Sequence, residues 1–199
     1  MTSDSVPAER AAPRAPGFPA IPAIPVSAGA LIFDRMGRLL IVKPAYKSGW
    51  TIPGGVMEAD GETPWQACRR EVREETGIDV RSGQLAGMDF RRPRPGKPGG
   101  VRFLFRCDAL DDQDLAAIVI QPGEISAYQL LALPAALPLL RGPIRRRVRA
   151  ACSGRGLVYL EDGRPVPEVG RPVSGCGAGA PAGRGSGPRT RSPRPGLRG

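Results

Sequence analysis

Glycine and proline crowd the two ends of this chain, and their placement confines any packed fold to the middle. The sequence holds 27 glycines and 23 prolines in 199 residues, a share that reaches the low-complexity range. Residues 1–25 are rich in alanine and proline, with prolines at 7, 13, 16, 19, 22 and 25. Each proline fixes φ and removes an amide donor, so this stretch reads as a disordered, polyproline-leaning arm. Residues 164–199 are mostly glycine, proline, arginine and serine. They bury too little apolar surface to offset the entropy of ordering, and a disordered tail is expected there. One folded domain is therefore expected over residues 26–163, long enough to bury roughly two-thirds of its unfolded surface.

Charge follows the same division. The formal net charge is +10, and from residue 164 onward the arginines at 164, 171, 184, 189, 191, 194 and 198 face Glu168 alone. Contact with nucleic acid is open through this arginine tail, while the domain itself is not strongly basic. Cysteines 68, 107, 152 and 176 form no CxxC pair, which excludes zinc-ribbon and thioredoxin readings and fits a reducing, cytoplasmic setting. Histidine is absent. That excludes Ser-His-Asp and Cys-His catalysis, histidine-held zinc or haem, and a histidine general base. No apolar run is long enough to span a membrane and the N-terminal stretch has no apolar signal core, so neither membrane contact nor secretion is expected. Nothing in the sequence sets the number of copies, and a homodimer is admitted.

Within the domain, the apolar runs 29–33 and 39–42 flank a polar turn containing Gly37, the pattern of a hairpin. A short extension at 50–52 is stopped by Pro53, Gly54 and Gly55. The clearest helix follows: Thr63 is a good N-cap, Pro64 takes the first helical position, and Gln66 completes a capping box. It is expected to run to about Thr76, with Gly77 as its left-handed stop and with Ala67, Cys68, Val72 and Trp65 inward. Residues 78–80, 85–90, 101–107 and 125–131 read as strands, 91–100 as a basic loop, and 138–152 as a helix with arginines 145, 146, 147 and 149 on one face. Strands mixed with two helices argue an α/β or α+β layer fold.

The chemistry concentrates on the first helix. Glu71, Glu74 and Glu75 stand at i, i+3 and i+4 and share a face. On a bare helix this is a solvated acidic face partly neutralised by Arg69, Arg70 and Arg73. Here a glycine-rich turn at 53–62 precedes the helix and brings backbone carbonyls beside the acids. Carboxylates with a carbonyl make a hard-oxygen site suited to Mg²⁺ or Mn²⁺, and such ions clamp diphosphates and acidify bound water.

Glu62, then Arg70, Glu71, Val72, Glu74, Glu75, Gly77 and Ile78 resemble the Nudix box, G-x5-E-x7-R-E-U-x-E-E-x-G-U with U aliphatic. Every fixed position from Glu62 onward matches. Six residues rather than five separate Gly55 from Glu62, an extra residue in the turn. The motif occupies about residues 54–78 and the resemblance about 26–160. It implies a Nudix-like α/β/α sandwich with a mixed central sheet, and hydrolysis of a nucleoside diphosphate linked to another moiety (nucleotide sugar, dinucleotide or nucleoside triphosphate) with Mg²⁺ or Mn²⁺. Carried over by position, Glu71, Glu74 and Glu75 hold the metal with the carbonyl of Gly54, or of Gly55 beside it. Catalytic roles fall to Glu74, to Arg70 as the group that orients a glutamate, and to an acid from a later loop. Glu62 supports the box. Glu124 is the candidate for the later acid, against a plain surface role, with Asp111, Asp112 and Asp114 as alternatives.

The basic loop 91–100, with Arg102 and Arg106, is either solvated or meets phosphates; Phe90, Phe103 and Phe105 read as core, and Trp50 flanks a pocket or the core. No residue is assigned to the substrate's other half. A second reading is a nucleic-acid-binding or regulatory protein that uses the same scaffold and the basic tail.

Overall fold

The computed structural model describes residues 23–154 and 156–169; the expected arm up to residue 22 and the tail from residue 170 lie outside them. The described elements follow in the order β1 (Val26–Leu31), β2 (Arg38–Pro44), β3 (Gly54–Val56), α1 (Pro64–Thr76), β4 (Gly83–Arg91), β5 (Gly100–Cys107), α2 (Asp112–Ala116), β6 (Ile125–Ala132), α3 (Leu133–Leu139), α4 (Gly142–Ser153), β7 (Val158–Glu161) and β8 (Arg164–Pro165).

Helix α1 forms where its local signals place it. The Thr63 hydroxyl accepts from the Gln66 amide at 3.3 Å, and the Gln66 side chain accepts from the Thr63 amide at 2.8 Å. These two bonds satisfy donors that a helix start otherwise leaves open. Gly77, at φ 75°, ends the helix by donating to the Arg73 carbonyl.

One sheet runs in the order β3-β1-β5-β4-β7-β8. The β1–β5 and β4–β7 pairs are parallel and the others antiparallel, so the sheet is mixed. Ala28 and Ala30 of β1 pack on Ala67, Cys68 and Val72 of α1. Leu31, on the opposite face, joins Leu104 against Val148 and Ala151 of α4. The sheet thus lies between two helices, the expected α/β/α layering. Phe103 and Phe105 pack in the layer under α1, with Trp65 edge-on to Phe105 at 5.1 Å. Cys68 and Cys107 are buried free thiols and Cys152 is a half-buried one; Cys176 lies outside the described residues.

Several expected elements differ. The runs 29–33 and 39–42 meet only at the turn, where Phe33 bridges Leu39 and the Leu40 amide donates to Ile32. Beyond it β2 leaves and pairs with β6, because β3 and β5 already occupy both edges of β1. Gly54 and Gly55, expected only to stop an extension, form β3 itself. Residues 78–80 bury Ile78 and Val80 but join no ladder; the Val80 carbonyl accepts instead from Arg69 at 2.7 Å. The helix expected at 138–152 is two. Leu140 and Arg141 are extended, and Pro143 starts α4 anew. The β7–β8 hairpin turns through Asp162 and Gly163, both at positive φ, the two-residue turn that matches strand twist. Its second strand begins just past residue 163.

Candidate active site

Arg70 is the hub of the acidic face. Its guanidinium grips Glu62 with two bonds, 2.8 and 3.1 Å, and its remaining terminal nitrogen spans Glu71 at 3.1 Å and Glu74 at 3.0 Å. A further bond reaches the Val56 carbonyl in β3 at 3.1 Å. Glu62 also accepts from the Glu58 amide at 2.8 Å. One arginine therefore fastens the glycine-rich turn, the edge strand and the helix together. Hydrogen bonding from Arg70 outweighs burial and holds the Glu62 carboxyl below its ordinary range.

The three helix acids sit in graded environments, with Glu74 exposed, Glu71 half-buried and Glu75 buried. Glu75 accepts from the Gly54 amide at 3.0 Å. Burial, joined by the charges of Glu71, Glu124 and Glu74, nevertheless pushes its carboxyl up to about 8. Burial likewise raises Glu71, with Arg70 opposing and Glu74 and Glu124 adding to the rise. Glu124 thus acts electrostatically on both buried acids. It is itself exposed, in the turn before β6, and its carbonyl accepts from the Ala45 amide at 2.7 Å. The alternatives to it are occupied locally: Asp111 and Asp114 cap α2 reciprocally, and Asp112 lies in that helix's first turn.

Both glycines of β3 crowd this face, Gly54 against backbone and Gly55 against a side chain that can move. A Cβ on Gly54, at φ 139°, would lie 2.2 Å from the Ala28 carbonyl oxygen. A Cβ on Gly55 would lie 2.1 Å from Glu71 Oε1. The amide of Gly54 ties β3 to the buried acid of the helix.

Gly54 and Gly55 also border a cleft of about 90 Å³ on the α4 side of the sheet, walled by Ser27, Ile52, Arg102, Ile144 and Arg147. Arg147 pairs with Asp89 at 2.5 Å; Asp89 is wholly buried and its other oxygen accepts from the Gly163 amide at 2.8 Å. Trp50 packs into the core layer beside α3 and α4 rather than lining this cleft.

A family model, the NUDIX domain, matches residues 23–152. The chain belongs to that family. A MutT-like protein of Streptomyces ambofaciens is 36% identical over 107 residues, 51% of this chain and 66% of that protein. An 8-oxo-dGTP diphosphatase of Proteus vulgaris is 44% identical over 57 residues, 27% of this chain and 50% of that protein. The chain spans less than two-thirds of either relative. Among solved structures, the MutT protein of Methanosarcina mazei Go1 shares the fold with a TM-score of 0.56 at 24% identity, over 65% of this chain and 93% of that one.

The donor set of the Nudix helix fits a hard divalent cation. It is all oxygen, three carboxylates crowd one helix face, and burial with the neighbouring acid charges pushes the buried one toward its neutral form. Among the described residues no three acids are gathered at metal-holding geometry; the Arg70 guanidinium lies between Glu71 and Glu74 instead.

Sequence reasoning did not single out the buried Arg147–Asp89 pair. Its signals were present: Asp89 interrupts an apolar strand, and Arg147 shares a stripe with Ile144 and Ala151 at i−3 and i+4. The basic loop is engaged within the fold. Arg92 pairs with Glu161, and Arg94 with Asp162 at 3.1 Å. Arg106 donates to the Ala151 carbonyl at 3.2 Å and stacks on Phe33.

Proposed function

We propose that this Nudix domain is a pyrophosphohydrolase that cleaves the pyrophosphate linkage of a nucleoside diphosphate derivative, using Mg²⁺ or Mn²⁺. Nucleotide sugars, dinucleotides and nucleoside triphosphates are the class. The observation that carries the reading is the shared wall: β3 has the acids of α1 on one side and a cleft on the other, so a two-part substrate is held across Gly54 and Gly55.

In this reading Glu71, Glu74 and Glu75 hold the metal, with a carbonyl of Gly54 or Gly55. A bound divalent ion supplies charge stabilisation for the diphosphate oxygens and a more acidic water. Arg70 fixes the Glu71 and Glu74 carboxylates relative to the turn and to β3, which keeps the donors at the spacing the helix sets. Water attacks one phosphorus, the bridging P–O bond breaks, and the water's proton passes to a carboxylate. Glu124 takes that proton, since its exposed side chain has no ion-pair partner among the described residues. The similarity to an 8-oxo-dGTP diphosphatase supports a nucleotide substrate.

The test is a nucleotide panel with the purified chain and Mg²⁺ or Mn²⁺, in ¹⁸O water. Phosphate-ester products carrying one ¹⁸O, abolished by EDTA, are expected. Absence of metal-dependent cleavage across the panel, with tail-dependent RNA binding in its place, would favour the nucleic-acid-binding reading.

A further inference from the structure

The cleft on the α4 side carries an unbalanced charge. Arg102 and Arg147 both line it, and Asp89 is the acid nearest them in the fold: it is Arg147's ion-pair partner and stands directly across the β4–β5 ladder from Arg102. Asp89 accepts from Arg147 through one oxygen and from the Gly163 amide through the other. Arg102 donates to backbone carbonyls, those of Val101 at 3.1 Å, Pro25 at 3.2 Å and Gly99 at 3.4 Å, and Asp89 reaches it only through space. Among the described residues it has no carboxylate partner. Burial, together with the charges of Arg147 and Arg91, lowers its affinity for its proton, with Asp89 opposing only in part.

A half-buried guanidinium without an anion is costly, and an arriving oxyanion would relieve it through charge-assisted bonds. Size narrows the ligand. A cleft of about 90 Å³ is far below the ~300 Å³ and more of a site that engulfs a whole small molecule. It suits one phosphate or carboxylate group at the end of a molecule that extends out of it.

We propose that Arg102 binds an oxyanion carried by the far end of the substrate, so that diphosphates bearing an additional phosphate or carboxylate group are preferred over their neutral-ended counterparts. The position of the scissile diphosphate rests on the functional reading above; the anion site does not. Arg147 is the positioning cation, since its partner Asp89 holds it, and Arg102 is the one that reads the ligand.

Two matched pairs test this with the full chain: UDP-glucose against UDP-glucuronate, and guanosine 5′-diphosphate against its 3′-phosphorylated form. Binding is measured in EDTA by ligand-observed NMR or calorimetry, with hydrolysis assayed separately. The anionic member of at least one pair is expected to bind about tenfold more tightly. The pair that responds distinguishes carboxylate from phosphate. In Arg102→Gln the ratio is expected to fall to near one, and in Arg102→Lys to be partly retained, with thermal melts confirming that each variant folds. Equal binding within both pairs in the wild type overturns the proposal and needs no variant, and so does a preference that survives Arg102→Gln in a folded protein. Charge-selective binding without any hydrolysis would uphold the anion site and sink the pyrophosphohydrolase reading instead.

Discussion

Removing the Arg147 guanidinium tests how the fold tolerates Asp89. The carboxylate is 0% exposed, with Arg147 at 2.5 Å and the Gly163 amide at 2.8 Å. Arg147→Met keeps most of the side chain's apolar stem and removes the charge. Breaking a buried pair from one side costs about 3–5 kcal/mol, because the remaining ion is left in a low-dielectric interior. For a domain of this size, at roughly 3 °C per kcal/mol, that is a melting-point loss of about 9–15 °C. Replacing both partners should cost far less. In Arg147→Met with Asp89→Asn, the amide oxygen still accepts from Gly163 and no charge is buried, so at least half of the loss should return. The assay is thermal and urea unfolding of the wild type, both single variants and the double variant, read as a double-mutant cycle. A single-variant loss below about 1 kcal/mol, the scale of an exposed pair, would refute the argument, as would a double variant no more stable than Arg147→Met.

Three other outcomes follow from the acidic face. Glu75→Gln preserves shape but removes one charge from the proposed metal site, and a loss of about 10²-fold or more in kcat is expected with the fold intact by circular dichroism; undiminished turnover would misplace the site. Gly54→Ala and Gly55→Ala should separate. The first drives a Cβ into the Ala28 backbone at 2.2 Å and lowers stability, whereas the second meets a movable Glu71 carboxylate at 2.1 Å and lowers turnover at least tenfold with a smaller change in melting point. For Glu62, the folded carboxyl lies below its ordinary value of 4.5. Its contribution is therefore fully present above that value and is lost as pH falls through the lower folded value. Arg70→Met should flatten this part of the stability curve below about pH 4.5, and identical acid limbs in the two proteins would count against the Arg70–Glu62 grip.

Legibility in the sequence tracked how local the determining physics is. Helix α1 was readable to the residue because Thr63, Pro64, Gln66 and Gly77 fix its ends through bonds within four positions. Strands β4, β5 and β6 were readable as apolar runs, but their partners were not. The hairpin expected from 29–33 and 39–42 fails for a reason no local pattern carries: the edge that β2 would need is taken by β5, some 70 residues away in sequence. The break between α3 and α4 was marked by Pro143 alone, while Pro138, read as the start of a helix, lies inside α3. At the site, the motif spacing named Glu71, Glu74 and Glu75 but concealed that Arg70 joins all but Glu75 of the box's acids. The cleft depended on Asp89, Arg102 and Arg147, which come from two strands and a distant helix and meet only in the folded sheet.

That convergence explains why β3 is so short and so glycine-rich. Its two glycines are pressed from three sides: Ala28 of β1 against Gly54, the Glu71 carboxylate against Gly55, and the cleft behind both. Glycine usually weakens a strand through backbone entropy and lost packing, and here the cost falls on an edge strand that Arg70 steadies through the Val56 carbonyl. The turn with its extra residue is bracketed by that bond and by Glu62. Room for the added length exists at Gly61, where a Cβ would meet nothing within 4 Å, and the spacing between helix acids and strand is left as Arg70 sets it.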